Sequence, residues 1–306
     1  MVDDFSLGSL NHTKWNTEIE VGGYGPTLQD ASLIEKDYTV DLRGQGCTSR
    51  DWFDCVATTN TTNGTIVNPV RSARINTRIG GNIKYGRVEV VARLPQGDWL
   101  WPSIMLLPTN NTYGEWPMSG QIYIGGNNII ASTLHFGPNE ELDGWWRNNV
   151  KSAAYHETFS DRFHKFGVEW TEKYIFTYID TRLLQVSYTR FNKPFWQYGE
   201  FPTADRNGTR FINPWEYGTY ATPFDQDFHL VLKVGAGATN GWFEDGQSGK
   251  PWLDRNANAK LRFWQARDQW YPTWARRGWM EVKSVKMWQQ APHNGCKLSE
   301  AQRFVG

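Results

Sequence analysis

The sequence predicts an all-β sandwich of antiparallel strands, organised as one domain over residues 1–306. Three observations carry that reading. Short runs of alternating apolar and polar residues recur along the chain. Gly, Pro, Asn and Asp bound most of these runs. The helical 3.6-residue period surfaces only weakly, and once. Period-two alternation places successive side chains on opposite faces of a strand, so each run buries one face and leaves the other for solvent or ligand.

In chain order the clearest runs are GRVEVVARL (86–94), SIMLL (103–107), QIYIG (121–125) and IIASTLHF (129–136). KFGVEWT (165–171), YIFTYID (174–180), FHLVLKVGAG (228–237) and MEVKSVKMW (280–288) follow. The helical period appears in KPWLDRNANAKLRFWQARDQW and predicts a helix near residues 256–268. No internal repeat, low-complexity linker or abrupt composition shift divides the chain, so one domain is the simplest organisation.

Charge narrows the function classes. Only 21% of the residues are charged, with 32 basic against 32 acidic. A nucleic-acid binder shows a basic excess and a membrane-surface protein a basic amphipathic face, so neither partner is expected. No apolar run is long enough to span a bilayer. Aromatic residues make up 15% of the chain, including 17 Trp. A sandwich core with edge tryptophans explains many of these. A sugar cleft is the sharper reading, because flat indole faces stack on pyranose rings.

Of the three cysteines, Cys47 and Cys55 lie close together in a polar, loop-like segment and form the expected pair, while Cys296 sits in the tail. Acceptor sequons recur at Asn11, Asn60, Asn63, Asn110 and Asn207 and suggest a lineage that passed through a eukaryotic secretory pathway. The opening MVDDFSLGSL carries no signal peptide. The chain therefore reads as a mature domain of extracellular type given a new start Met, as in a recombinant product, and as a monomer. The six histidines show no paired spacing suited to a metal.

The stretch YGRVEVVARLPQGDWLWPSIMLLPTNNTYGEWPMSG resembles the glycoside hydrolase family 16 laminarinases, particularly the branch shared with β-1,3-glucan recognition proteins. STLHFGP, FHKFGVEWTEKYIFTYID and GATNGWFEDG resemble further motifs of that family in the same order, so the likeness covers nearly the whole chain. It implies a concanavalin-like β-jelly roll of two curved antiparallel sheets, the concave one forming a glucan cleft. It also implies an extracellular parent family, no cofactor, and a structural calcium whose ligands the sequence does not identify.

The family's active strand reads approximately G-E-I-D-I-M-E, with a Glu nucleophile, an assisting Asp and a Glu acid/base. Retaining hydrolysis needs two carboxyl groups about 5 Å apart, one ionised and one protonated. Here the corresponding stretch is GQIYIGG: Gln121 stands at the nucleophile, Tyr123 at the Asp and Gly126 at the acid. An amide cannot form a glycosyl ester and glycine cannot move a proton, so the family's glucanase mechanism is lost. Glu115, Glu140, Glu141 and Glu169 lie in or beside the same motifs as possible replacements, Glu169 reading as structural and Glu115 as a rim residue.

Other departures point one way. Against the family pattern, Met105 stands for a cleft Trp, Lys233 for an Asn, Gly235 for an Ala and Ala236 for a Val. Gly125 and Gly126 add to an apparent opening of volume. By parity Val231, Lys233 and Gly235 share one face, so Lys233 is expected in the cleft. The direction of change reads as an active site rebuilt inside a glucanase scaffold.

Three readings fit, the lysine chemistry leading, glucan binding the alternative to it and a cycloaddition the second alternative. A lysine in a dehydrated, carboxylate-free pocket has a lowered pKa. Lys233 would then form a Schiff base with a small carbonyl substrate, Tyr123 would move protons, and Gln121 or His135 would hold water. This set is similar to designed retro-aldolases. A second engineered option uses Gln121 as hydrogen-bond acceptor and Tyr123 as donor to align two partners for a cycloaddition. The third is a non-catalytic β-1,3-glucan-binding protein whose cleft is lined by some of Trp99, Trp101, Trp116, Trp145, Trp146 and Trp242. His135 belongs to the family's TLHW element and reads as part of the cleft floor.

Overall fold

The alternating runs become two stacked antiparallel sheets in a computed structural model, which describes residues 1–21, 34–154, 157–204 and 206–291. Cys296 lies outside the described residues. In chain order the first strands are β1 (Val2–Asp3), β2 (Asn16–Thr17), β3 (Tyr38–Asp41), β4 (Val56–Thr59), β5 (Ala73–Asn76) and β6 (Asn82–Ile83). β7 (Gly86–Arg93), β8 (Leu100–Pro108), β9 (Gln121–Gly126), β10 (Ile129–His135) and β11 (Val150–Ala153) follow. β12 (His164–Trp170), β13 (Tyr174–Ile179), β14 (Gln185–Arg190), β15 (Phe228–Ala236) and β16 (Glu281–Gln289) complete the set.

One sheet runs β1-β16-β7-β12-β13-β14; the other runs β11-β10-β9-β8-β15-β5-β2, with β6 also on β15, and β3 and β4 form a separate pair. This is the concanavalin-like sandwich implied by the resemblance. Each predicted run falls on a strand. The strands that the alternation misses are of two to six residues, too short for a period of two to stand out from chance.

Parity decides what each strand buries. Ile104 and Leu106 of β8, Ile122 and Ile124 of β9, Leu230 and Leu232 of β15 and Val88 and Val90 of β7 meet between the sheets, each nearly inaccessible. A polar pair crossing this interior, Ser132 with Thr177, is hydrogen-bonded at 2.7 Å, as buried hydroxyls must be. The opposite faces of β8, β9, β10 and β15 therefore look outward together, and a smaller apolar cluster of Met105, Tyr123, Ala131 and Val231 forms there.

Two connections frame that outer face. Cys47 and Cys55 are disulfide-bonded, the expected pair, and close a loop carrying the exposed Trp52 and Phe53. The predicted helix near 256–268 is observed as two short ones, α3 (Ala259–Gln265) and α4 (Arg267–Trp274), following α1 (Trp52–Cys55) and α2 (Phe195–Tyr198). Phe263 of α3 stacks on Trp270 of α4 at 4.3 Å between ring centroids, burying a satellite cluster with Trp99 and Trp252. Met1, read from sequence as an added start residue, is a core side chain at 3% exposure, and its amine donates to Met287 O.

Candidate functional site

A cleft of about 2560 Å³ lies over the outward face of the eight-stranded sheet. Its floor is what parity leaves on that side: Ser103, Met105 and Leu107 from β8, Gln121 and Tyr123 from β9, Ala131, Thr133 and His135 from β10, and His229 and Lys233 from β15. β9 and β10 pair without a break from Gln121 against His135 to Gly126 against Ile130. Gln121 and Tyr123 therefore stand where the family's acids are expected.

Gln121 is buried and fully engaged. Its Oε1 accepts from Trp116 Nε1 at 2.8 Å, and its Nε2 approaches Met105 Sδ at 3.1 Å. Met105 occupies the place expected of a cleft Trp, and it caps the amide. Beside it, His135 Nδ1 meets Asp143 Oδ2 at 2.6 Å. The other Asp143 oxygen accepts the backbone amides of Phe136 and Trp145, so Asp143 fixes the imidazole and its own loop. Sequence reasoning missed Asp143, which shows no sign of its role until the 3-10 turn it caps is seen to fold back on β10.

The glycines do not open volume, contrary to the sequence reading. A Cβ at Gly125 would overlap the Tyr123 hydroxyl, and a Cβ at Gly235 would overlap the Trp101 indole. The space is filled by these two rings, which lie back along their own sheet. Gly125 and Gly235 are absent from the cleft surface for that reason. Gly126, at the position expected of the acid, lines the cleft but opens no cavity. It has φ +133°, and a Cβ there would run into the Ile129 carbonyl across the hairpin, a conformation that favours glycine.

The rings form a continuous path. Trp116 and His135 are 5.5 Å apart between centroids, His135 and Tyr123 6.3 Å, Tyr123 and Trp242 5.9 Å, and Trp242 and Trp101 5.4 Å. Trp145 adds a rim ring, whereas the exposed Trp146 is stacked under the Arg147 guanidinium at 3.9 Å. Trp99, read as a cleft residue, is not one: it is 8% exposed and packs edge-on against Trp252 and Phe243 in the satellite core. Ala236 likewise lies outside the main cleft and lines a smaller pocket beside it.

Lys233 does face the cleft, as parity predicted. Its Nζ lies 4.4 Å from the centroid of Trp101, a cation–π contact that favours the charged ammonium over a neutral amine. Tyr123 is two strands away and offset along β15, since its partner Met105 pairs with Val231. Strand spacing and rise put the two backbones roughly 12 Å apart. Burial pushes the Tyr123 phenol well above its ordinary range, so it remains a protonated donor rather than a proton shuttle. The retro-aldolase reading gains no support from this arrangement, and in the cycloaddition reading the Gln121 carbonyl is already bonded to Trp116.

The cleft is not carboxylate-free. Glu18, Glu20, Asp51, Glu115, Glu140 and Asp143 reach it. None replaces the lost pair. Glu115 is exposed and accepts from Asn111, Glu140 and Glu141 are exposed on a 3-10 turn, and Glu169 sits in the other sheet, bonded to Arg182 and Tyr174. Glu18 is tied to Arg74 at 2.9 Å and to Asn76. Glu20 is raised to about 7, first by burial and then by the charges of Glu18 and Asp54. Both lie at the β2 edge, four strands from β9, so roughly 19 Å from Gln121. Among the described residues, no group of three or more His, Cys, Asp or Glu side chains could hold a metal ion, and no helix is long and apolar enough to cross a membrane.

His229, also missed from sequence, is 5% exposed on the cleft floor and its Nδ1 has no hydrogen-bond partner. Burial, helped by Arg78 and Arg74, holds its pKa down to about 3. The unfolded chain therefore binds a proton below about pH 6.5 that the fold refuses, and stability falls as pH drops from there. The expected slope is up to about 1.4 kcal/mol per pH unit from this group. Thermal unfolding from pH 7 to 4 should show a shallower loss in His229→Asn; an unchanged slope would contradict it.

Comparison with known proteins fits this geometry. The family model described as "Glycosyl hydrolases family 16" matches residues 51–226. The beta-1,3-glucan-binding protein of Penaeus monodon is 37% identical over 274 residues, covering 82% of this chain and 72% of that protein. The beta-1,3-glucan-binding protein of Tenebrio molitor is 35% identical over 231 residues, covering 72% of this chain but 46% of that protein's length. The laminarinase catalytic domain of Thermotoga maritima MSB8 shares the fold, with a TM-score of 0.53 at 16% identity over 95% of this chain and 97% of that one. Nothing in these likenesses supports an engineered pocket.

Proposed function

This chain belongs to glycosyl hydrolase family 16, and from that premise we propose that its cleft holds a β-1,3-glucan strand without hydrolysing it. The observation that carries the reading is a pair of facts about one surface. The row of neighbouring rings from Trp116 through His135, the buried Tyr123 and Trp242 to Trp101 runs along the floor, and Trp116, Trp242 and Trp101 offer accessible ring surface for stacking. The positions of the family's acids on that floor hold Gln121, Tyr123 and Gly126. Stacking surfaces survive where the bond-breaking groups do not. Tyr123 and Gln121 then serve as walls, while His135, Thr133 and Lys233 offer polar contacts to sugar hydroxyls.

Two relatives carrying the name beta-1,3-glucan-binding protein support the ligand class. The bonded Cys47–Cys55 pair and the exposed sequons at Asn60, Asn63, Asn110 and Asn207 support an extracellular working place.

The test is titration with laminarin alongside an assay for reducing ends. Saturable binding with no sugar released over a day is the expected result; release of reducing sugar, or no binding, would overturn it. Borohydride trapping with an aromatic β-hydroxyketone gives a separate check, and Lys233 is expected to remain unlabelled.

A further inference from the structure

A second pocket, of about 260 Å³, opens beside the cleft. It shares two residues with the cleft, Trp101 and Lys233, so the Trp101 ring with the Lys233 ammonium on its face is the partition between them. Trp252 and Phe263, both nearly inaccessible, line it with aromatic surface. Ser72 and the exposed Thr239 contribute hydroxyls.

We propose that this side pocket takes a single hexose branch of the glucan, joined through the 6-oxygen of a backbone unit lying at Trp101. The inference rests on the glucan reading above and adds a substrate feature to it. The size fits, because the side pocket has a tenth of the cleft's volume and accommodates one sugar ring but not a run of them. The chemistry fits too: an aromatic wall suits the C–H face of a pyranose, and hydroxyls and an ammonium suit its rim. So does the position. The partition is the last ring of the path, so a strand lying on the path passes the mouth of the pocket. In a 1,3-linked chain the primary 6-hydroxyl projects furthest from the backbone, and a substituent there reaches sideways.

The experiment is calorimetric titration of wild type and Thr239→Trp with laminarihexaose and with laminarihexaose bearing one β-1,6-linked glucose. Thr239 lies at an exposed loop position outside the cleft surface, and an indole there fills the mouth of the pocket; thermal unfolding verifies that the variant folds. Wild type is expected to bind the branched sugar about tenfold tighter than the linear one. Thr239→Trp is expected to lose that preference and keep the linear affinity. Equal affinity of wild type for both sugars overturns the branch pocket and leaves glucan binding standing, as does a variant that loses both affinities together. Failure of wild type to bind either sugar overturns the glucan reading itself, and the branch pocket with it.

Discussion

Trp242→Ala is expected to weaken laminarin binding by about 30-fold, which corresponds to about 2 kcal/mol. Trp242 is the link that joins Trp101 to the rest of the ring path, 5.4 Å from Trp101 and 5.9 Å from Tyr123. Removing it isolates the Trp101 ring from the rest of the path, and a polysaccharide reads a continuous surface. The residue is half-buried on a loop, its backbone N–H donating to Asn240 Oδ1 rather than to a strand. Stability should therefore hold within a degree or two. Trp146→Ala, away from the path, provides the control with unchanged affinity. A drop of less than threefold in Trp242→Ala, with the fold intact, would remove the path as the binding surface.

The second large effect concerns the lost acids. The triple change Gln121→Glu, Tyr123→Asp, Gly126→Glu is expected to restore no hydrolysis and to lose about 3 kcal/mol of stability, a fall of roughly 5–10 °C in Tm. Most of that comes from Gly126. Its φ of +133° suits glycine, and a Cβ there overlaps the Ile129 carbonyl. Gly126→Ala alone should show most of the loss, without any carboxylate. Tyr123→Asp also removes a buried ring and leaves an acid where burial disfavours charge. A triple variant that melts with wild type and releases reducing sugar would contradict this account. On the proposed reading, the hairpin contributes to the loss of hydrolysis along with the three side chains.

Much of the fold was legible because alternation is a local property. GRVEVVARL and FHLVLKVGAG each place their even or odd members in the core, and the register of β15 against β8 follows. The vacant acids were equally legible, since identity at a motif position is all that reading requires. What alternation cannot convey is where a side chain lies once it leaves the backbone. Gly125 and Gly235 read as space, and only the folded chain shows Tyr123 and Trp101 lying across them. Trp99 shares its WLW stretch with Trp101 yet turns into the satellite core, because its backbone adopts φ +64°. Lys233 was placed on the correct face, but its meeting with Trp101 depends on a residue 132 positions away in sequence. Asp143 and His229 were missed for the same reason, their roles arising from a loop folding back and from burial.

The rings seated on glycine have a thermodynamic consequence. Tyr123 and Trp101 cannot rotate freely, since each rests against its own sheet with no Cβ beneath it. The rotational freedom that a sugar would otherwise have to freeze was surrendered when the chain folded. Association should therefore be limited by the ligand's own flexibility, and stiffening the saccharide should raise affinity where stiffening the protein would not. Substituting either glycine would set its ring loose, and the loss would register as a more unfavourable binding entropy before any contact with sugar had changed.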